Sequence, residues 1–338
     1  MRVTIADVAR AAGVSKSTVS RVLNAKDEVD AGTAERVRAV IARLGYVPSS
    51  RAVELARGRG RTVGVLASSL SWPWTAEVVQ GALDTVEAAG YGLLLFTRNH
   101  GPRSMARFAG QISAAAFDGL LVVGPQDALD PVAAALRPDL PVVLVDDRTD
   151  RPRFPSVTVA NTLGGELAAR HLLALGRRTP LVVTGPPHFG SVRGRLAGFL
   201  GALEAHGVEH DPRRTVEGDF TERSGEEAVE KLLADGITPD AVFAHNDLCA
   251  AGALRALRTA GLRVPGDVAV VGFDDIPLAA YTDPPLTTVR QPLRAMGEAA
   301  AALLLARVNG GPPPAGPVVL PAELVVRGSA PVPLTRTP

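Results

Sequence analysis

Two sets of residues in this 338-residue sequence have the types and spacing to do chemistry. The first is the run GVSKSTVSRVLN, Gly13 to Asn24, in which Ser15, Ser17, Thr18 and Ser20 are interleaved with Lys16 and Arg21. Short hydroxyl and β-branched residues are mediocre helix formers, because they bond their own backbone or lose rotamer freedom. What they offer is a surface: hydroxyls donate to phosphates and allow close approach of a backbone, and two long cations reach guanine edges. The second set follows apolar runs: Asp146 after PVVLV, Asn246 and Asp247 after DAVFAH, Asp274 after VVGF, with Arg195 opening RLAGF. Carboxylates, an amide and an arginine converging on one place suit a ligand rich in hydroxyls, each both donor and acceptor. His171, His188, Asp146 and Ser191 could make a hydrolytic constellation, yet no GxSxG elbow, Walker loop or metal-ligand spacing accompanies them. No catalytic residue, cofactor or metal site is therefore expected, and the chain is not read as an enzyme. Cys249, the single cysteine, reads as a small buried hydrophobe.

These residues need two different kinds of scaffold. With 46% apolar and 21% charged residues the chain has an ordinary globular composition, and at 338 residues it is long enough for two or three domains. MRVTIADVARAAG has no apolar leader-like segment, and no run approaches about 18 apolar residues, so a cytoplasmic protein with no membrane partner is expected. The net charge of +1 hides an asymmetry: residues 1–61 carry +6 and the remainder −5. A small basic module that meets a polyanion, joined to a larger acidic one, fits that division.

Before residue 62 the pattern is helical. Thr4 is placed to cap a helix ending at Gly13, Ser15 to cap a second running to about Leu23, and a third starts near Asp30. The third carries Ala34, Val37, Ile41 and Leu44 on one face. Two short helices around a tight glycine turn with a third across them is a helix-turn-helix. In the second helix Val19 and Val22 or Leu23 face inward while Lys16, Ser17, Ser20 and Arg21 face the other way. From Thr62 the runs TVGVLAS, YGLLLFT, GLLVVG, PVVLVD, PLVVTG, DAVFAH and VAVVGF alternate with helix-length segments. That alternation predicts parallel sheets covered on both faces, and a span of this size predicts two α/β lobes.

The run VTIADVARAAGVSKSTVSRVLNAKDEVDAGTAERVRAVIARLGYVPSS resembles the DNA-binding headpiece of the lactose-repressor (LacI/GalR) family of bacterial transcription regulators. DGLLVVG, PVVLVDDR, HLLALGRR, RLAGFLGAL, GDFTERSGEEA, FAHNDLCAAGAL, VVGFDDIPLA, LTTVRQPLRAMGEAA and ELVVRGS resemble the family's core in order, over essentially the whole chain. The resemblance implies an α/β protein with an N-terminal helix-turn-helix domain and a periplasmic-binding-protein-like core of two parallel-sheet lobes. It divides the chain into a headpiece (1–48), a hinge helix and linker (49–61) and an effector-binding, dimerisation core (62–338). Within the core, lobe 1 takes about 62–160 and 291–319, and lobe 2 about 161–290 and 320–331, with crossovers near Ala160, Gln291 and Leu320. The implied partners are operator DNA, a sugar or sugar-like effector and a second copy of the chain. A transport-type sugar-binding protein is the alternative.

Carried over by position, Lys16, Ser17 and Arg21 read bases, with Thr4, Ser15, Thr18, Ser20 and Asn24 completing the DNA-facing set. Leu55 becomes a minor-groove wedge between the small residues Ala52 and Ala56. In the cleft the resemblance implies Arg195, Asn246 and Asp274, then Asp146, Arg148, Phe220 and Asp247. Three have local alternatives: Asn246 is equally placed to cap its helix, Asp274 to close a turn with Asp275, and Asp146 to pair with Arg148. SSLSWPWTAE departs from the family's usual Asn-Pro-Phe, and it holds both tryptophans, Trp72 and Trp74, of a chain only 4% aromatic. Stacking of at least one on a ring of the ligand is expected. Ala160 stands where the family often has Asp, which removes a usual contact. The tail APVPLTRTP lacks leucine heptads, so a dimer is expected.

Overall fold

The computed structural model describes residues 3–23, 29–46, 60–98, 100–113, 116–125, 136–146 and 154–332. The chain divides into two compact units, Met1–Arg61 and Thr62–Pro338.

In the first unit, helix α1 (Ile5–Ala12) starts at Thr4, whose amide and hydroxyl both donate to Asp7 Oδ2, at 3.0 and 2.7 Å. It ends at Gly13, whose φ of 66° is the left-handed conformation that glycine adopts without strain. Helix α2 (Lys16–Leu23) is capped by Ser15, whose Oγ accepts from the Thr18 amide at 3.1 Å. Helix α3 (Ala31–Leu44) starts at Asp30, which accepts from the Thr33 amide at 2.9 Å. Val8, Ala9, Ala12, Val19, Val22, Ala34, Val37, Val40 and Tyr46 form the core of this unit. Val40 is buried where the spacing picked out Ile41 and Leu44, which are half-buried at the rim. A packed helix face is a stripe about 100° wide, and residues 40 and 41 both lie on it.

The second unit holds two sheets. Among the described residues, β1 (Thr62–Ala67), β2 (Gly92–Thr97), β3 (Gly119–Val123), β4 (Val142–Val145), β5 (Ser156–Val159) and β11 (Val318–Leu320) form one in the order β11-β5-β4-β3-β1-β2. All its pairs are parallel. The other is β12-β10-β9-β8-β6-β7, from β6 (Pro180–Thr184), β7 (Thr215–Glu217), β8 (Ala241–Ala244), β9 (Ala269–Asp274), β10 (Thr287–Arg290) and β12 (Glu323–Val325). Its edge strand β12 is antiparallel to β10. The central strands are buried at nearly every position, as strands covered on both faces must be. The chain changes sheet after Val159, after Arg290 and after Leu320, so three short links join the lobes.

The helices that position the polar residues are α4 (Pro73–Ala88), α6 (Asn161–Ala174), α7 (Gly190–Ala205), α9 (Asp247–Thr259) and α10 (Leu293–Val308); α5 (Pro102–Ser113) and α8 (Glu222–Ala234) complete the layers. α6 and α7 approach so closely that a Cβ at Gly198 would overlap the Thr162 carbonyl, and one at Gly165 the Arg195 carbonyl. Backbone contact through these two glycines fixes Arg195 against Asn161 across the pair.

Candidate nucleic-acid interface and ligand cavity

In the first unit, burial of Val19 and Val22 turns the opposite side of α2 outward. Ser15, Lys16, Ser17 and Arg21 are exposed and Thr18 and Ser20 half-buried. Ser15 Oγ lies 2.7 Å from Ser17 Oγ and 2.8 Å from Thr18 Oγ1, a cluster of hydroxyls at the start of the helix. Thr4 is exposed at the start of α1. The two cations and the hydroxyls lie on the side of α2 away from the buried Val19 and Val22, where they are free to meet phosphates and base edges. Asn24, Ala52, Leu55 and Ala56 lie outside the described residues.

In the second unit a cavity of about 530 Å³, its mouth included, is lined by residues of both lobes. The first lobe supplies Trp72, Pro73 and Trp74 at the start of α4 and Asp146 after β4; the second supplies Ser191, Arg195, Phe220, Asn246, Leu248, Asp274 and Ile276. Gln291 lines it from the link between β10 and α10. Asp146, Asn246, Asp274 and Gln291 sit at or just beyond carboxyl ends of parallel strands, and Ser191 and Arg195 in the first two turns of α7, where an open α/β sheet places its ligand.

Arg195 is held from several sides. Its Nε donates to Asn161 Oδ1 at 2.9 Å, Nη1 donates to the His245 carbonyl, and the guanidinium carbon lies 3.6 Å from the centre of the Phe273 ring. Nη1 is also 3.9 Å from Asp274 Oδ1, which accepts from Gln291 Nε2 at 2.6 Å. Burial drives the Asp274 carboxyl up to about 6; Arg195 and the Gln291 bond oppose the rise, and Asp146 adds to it. Burial, then the neighbouring Arg195 cation, keeps His245 neutral, well below the usual imidazole range. Asn246 both caps α9, accepting from the Cys249 amide at 2.9 Å, and lines the cavity while donating to the Phe220 carbonyl at 2.9 Å. Of the turn and cap alternatives, that one is realised together with exposure to the cavity. Asp275 instead receives Arg290 Nε and Arg327 Nη2, both at 2.7 Å.

Three lining residues, Asp146, Phe220 and Asp274, have positive φ, of 57°, 69° and 112°. Non-glycine residues held there cost on the order of 1–3 kcal/mol each and gather where a site over-determines them. Gly185 accommodates one of them, since a Cβ there would overlap the Phe220 ring.

Trp72, Trp74, Asp146, Arg195, Phe220, Asn246 and Asp274 are thus brought together, and Arg148 lies outside the described residues. Asp247 is not with them. One residue on from the cap, it is turned away from the cavity and fully buried, Oδ2 accepting from the Ile276 amide at 2.9 Å and Oδ1 from Thr288 Oγ1 at 2.5 Å. Burial and the charge of Asp274 hold its carboxyl well above the usual range, a structural acid under the floor of the site. Pro73, Ser191, Leu248, Ile276 and Gln291 went unnoticed as lining residues. Ser191 could have been found four residues before Arg195 on the same helix face, whereas nothing local ties Gln291 to Asp274.

Of the residues of the hydrolytic constellation, Asp146 and Ser191 line the cavity and neither histidine does, His171 Nε2 pairing with the Ala330 carbonyl at 2.7 Å. Burial pushes the Cys249 thiol up to about 12, far from a reactive thiolate. Among the described residues no group of three His, Cys, Asp or Glu could hold a metal ion, and no helix is long and apolar enough to cross a membrane.

Comparison with known proteins places both units. Residues 4–49 match the family of bacterial regulatory proteins, lacI family, and residues 169–330 match a periplasmic binding protein-like domain. The HTH-type transcriptional repressor CytR of Escherichia coli (strain K12) is 32% identical over 326 residues, 96% of either chain. A structure of the Lac repressor dimer bound to operator and the anti-inducer ONPF superposes with a TM-score of 0.88 at 32% identity, covering 98% of this chain and 100% of that one. The complex of transcriptional regulator CelR with cellobiose does so with a TM-score of 0.75 at 35% identity, covering 97% and 100%. These relatives are regulators of transcription and not enzymes.

Proposed function

This chain belongs to the LacI family of bacterial regulatory proteins, and from that premise we propose that it is a cytoplasmic repressor, binding a pseudo-palindromic operator as a homodimer and releasing or gripping it according to a sugar-like effector in the cavity of residues 62–338. In this reading residues 1–48 read the operator, 49–61 form a hinge whose Leu55 wedges a base step, and 62–338 bind effector and partner. One observation carries it: the same chain presents an outward cationic and hydroxyl face on α2 and a two-lobed cavity with converging polar anchors. An effector acts only through different affinities for the two lobe arrangements, and three short links between sheets are where such arrangements differ.

Selection of bound duplexes from a random pool, followed by anisotropy titration and light scattering, tests this. The expected outcome is a two-fold symmetric site bound by two chains, at least about a thousandfold tighter than a scrambled duplex. Equal affinity for both duplexes would remove operator recognition and leave the transport-type alternative.

The cavity also sets a pH dependence. Ligand hydroxyls donate more strongly to the ionised Asp274 than to its acid form, so binding lowers its proton affinity, and affinity rises with pH through about 6. Arg195, Gln291 and Asp146 face this carboxyl, and Asp247 lies behind it. Without ligand the sign is opposite: the native carboxyl binds its proton more tightly than an unfolded one, so stability declines as pH rises between about 4 and 6. Calorimetric titration near pH 7.5 and pH 5 is expected to give weaker binding at the lower value, by up to about tenfold for a group titrating near 6. An unchanged Kd would show that Asp274 receives no ligand hydroxyl.

A further inference from the structure

The turn that closes β9 has a backbone its residues do not favour. Asp274 and Asp275 follow one another at φ of 112° and 59°, in the left-handed region that non-glycine residues keep only where their surroundings over-determine them. Asp275 is held by Arg290 and Arg327, one on each carboxylate oxygen. The next residue is held by Asp247, the first of α9, whose Oδ2 accepts from the Ile276 amide at 2.9 Å.

Asp247 reaches that amide through a slot in the sheet. Gly272 of β9 stands beside Thr288 of β10 in the parallel register. A Cβ at Gly272 would overlap Asp247 Oδ1, so the carboxyl group takes the place of the missing side chain and accepts from Thr288 Oγ1 at 2.5 Å. Asp247 and Thr288 are both fully buried. One carboxyl group thus pins the start of α9, strand β10 and the turn to one another. Docking a helix on a sheet does not need a buried acid, which is costly to desolvate unless its oxygens are bonded. Burial and the charge of Asp274 hold this carboxyl well above the usual range, so it acts through hydrogen bonds and not as a counter-ion.

We propose that Asp247 is a positioning residue for the cavity: it holds the Asp274–Asp275 turn in its left-handed backbone and thereby aims the Asp274 carboxylate at Arg195, Gln291 and the ligand. Asp247 touches no ligand itself, and the place of the ligand in this arrangement rests on the reading of the cavity as the effector site. Arg195 of α7, Gln291 of the link and Asp146 of the other lobe face Asp274, with Asp275 beside it and Asp247 behind it. A turn released from Asp247 lets Asp274 leave that buried set, and its carboxyl returns from about 6 toward the usual carboxylate range.

The test uses the full-length protein without ligand. Amide hydrogen exchange followed by mass spectrometry reads the segment 272–280. Carbon-13 NMR of aspartate-labelled protein reads the Asp274 carboxyl, assigned by its loss in Asp274→Asn. In Asp247→Ala, exchange across the turn is expected to speed up by about tenfold or more, and Asp274 to titrate well below about 6. Asp247→Asn should keep both readings parental, because its amide oxygen accepts from Ile276 while its nitrogen donates to Thr288 Oγ1. Thr288→Val, which removes one of the two bonds, should fall between them. Ile112→Ala, in a separate core cluster of the first lobe, should lower the Tm and move neither reading. Parental exchange with a titration near 6 in Asp247→Ala would overturn the proposal, as would losses in Asp247→Asn equal to those in Asp247→Ala, or a turn loosened as much by Ile112→Ala. If Asp247→Ala does not fold, Thr288→Val decides, and a Thr288→Val protein with parental readings overturns the proposal. No ligand enters either measurement, so failure here leaves the effector reading untouched, and a cavity that binds no effector leaves the positioning of Asp274 intact.

Discussion

Arg195→Ala is expected to abolish ligand-induced stabilisation and to lower the Tm of the unliganded protein. The side chain is 5% exposed, and it holds Asn161, the His245 carbonyl and the Phe273 face together while standing beside Asp274. Truncation leaves Asp274 buried near Asp146 without its cation. Removing one partner of a buried pair costs about 3–5 kcal/mol, because the remaining charge loses its compensation. Part of that cost is relieved when Asp274 takes up a proton, so the deficit should shrink from about pH 7.5 to pH 5.5, which thermal melts at the two values would measure. Lysine should not rescue the variant, since a single ammonium cannot reach Asn161 and a carbonyl while lying flat over a ring. A variant melting at the parental temperature with its ligand response intact would show that Arg195 only fills space.

Arg21→Ala should have the largest effect on the other unit. Arg21 is exposed on the side of α2 opposite Val19 and Val22, so circular dichroism should be unchanged. If the guanidinium reads a guanine edge, discrimination between the selected operator and a scrambled duplex should fall by about 1–3 kcal/mol, roughly five- to 150-fold, with little change on the scrambled duplex. Contact with phosphate alone would give the opposite pattern, an equal loss on both duplexes and a shallower salt dependence by about one unit. Anisotropy titrations at several salt concentrations separate the two.

Short-range signals in the sequence were read correctly because each acts within a few residues. Thr4, Ser15 and Asp30 stand at the three helix starts and Gly13 and Gly45 adopt the left-handed ends, since caps answer only to adjacent amides and carbonyls. The seven strongest apolar runs each became a strand. The short β5, β7, β10, β11 and β12 did not stand out, because three or four residues at a sheet edge or beside a link carry too little periodicity.

The cavity divides along the same line. Asp146, Asn246 and Asp274 announced themselves by following apolar strands and Arg195 by opening RLAGF, and the resemblance supplied Phe220. Asp247 carried the same local signal as Asn246 and went to the interior, because one step along a helix start turns a side chain about 100°.

By itself the sequence determined the class of protein: a basic helical headpiece with a reading face and an α/β body, written in caps, periodicity and charge. Tertiary structure alone decided which polar groups share a cavity. Gln291 meets Asp274 across 17 positions and Arg195 meets the His245 carbonyl across 50. Such pairs form only when β6 lies beside β8 and β9 beside β10 in one sheet, and burial among them is what moves Asp274 to about 6. Local sequence specifies which groups are present; packing at a distance sets their partners, their protonation and so their chemistry.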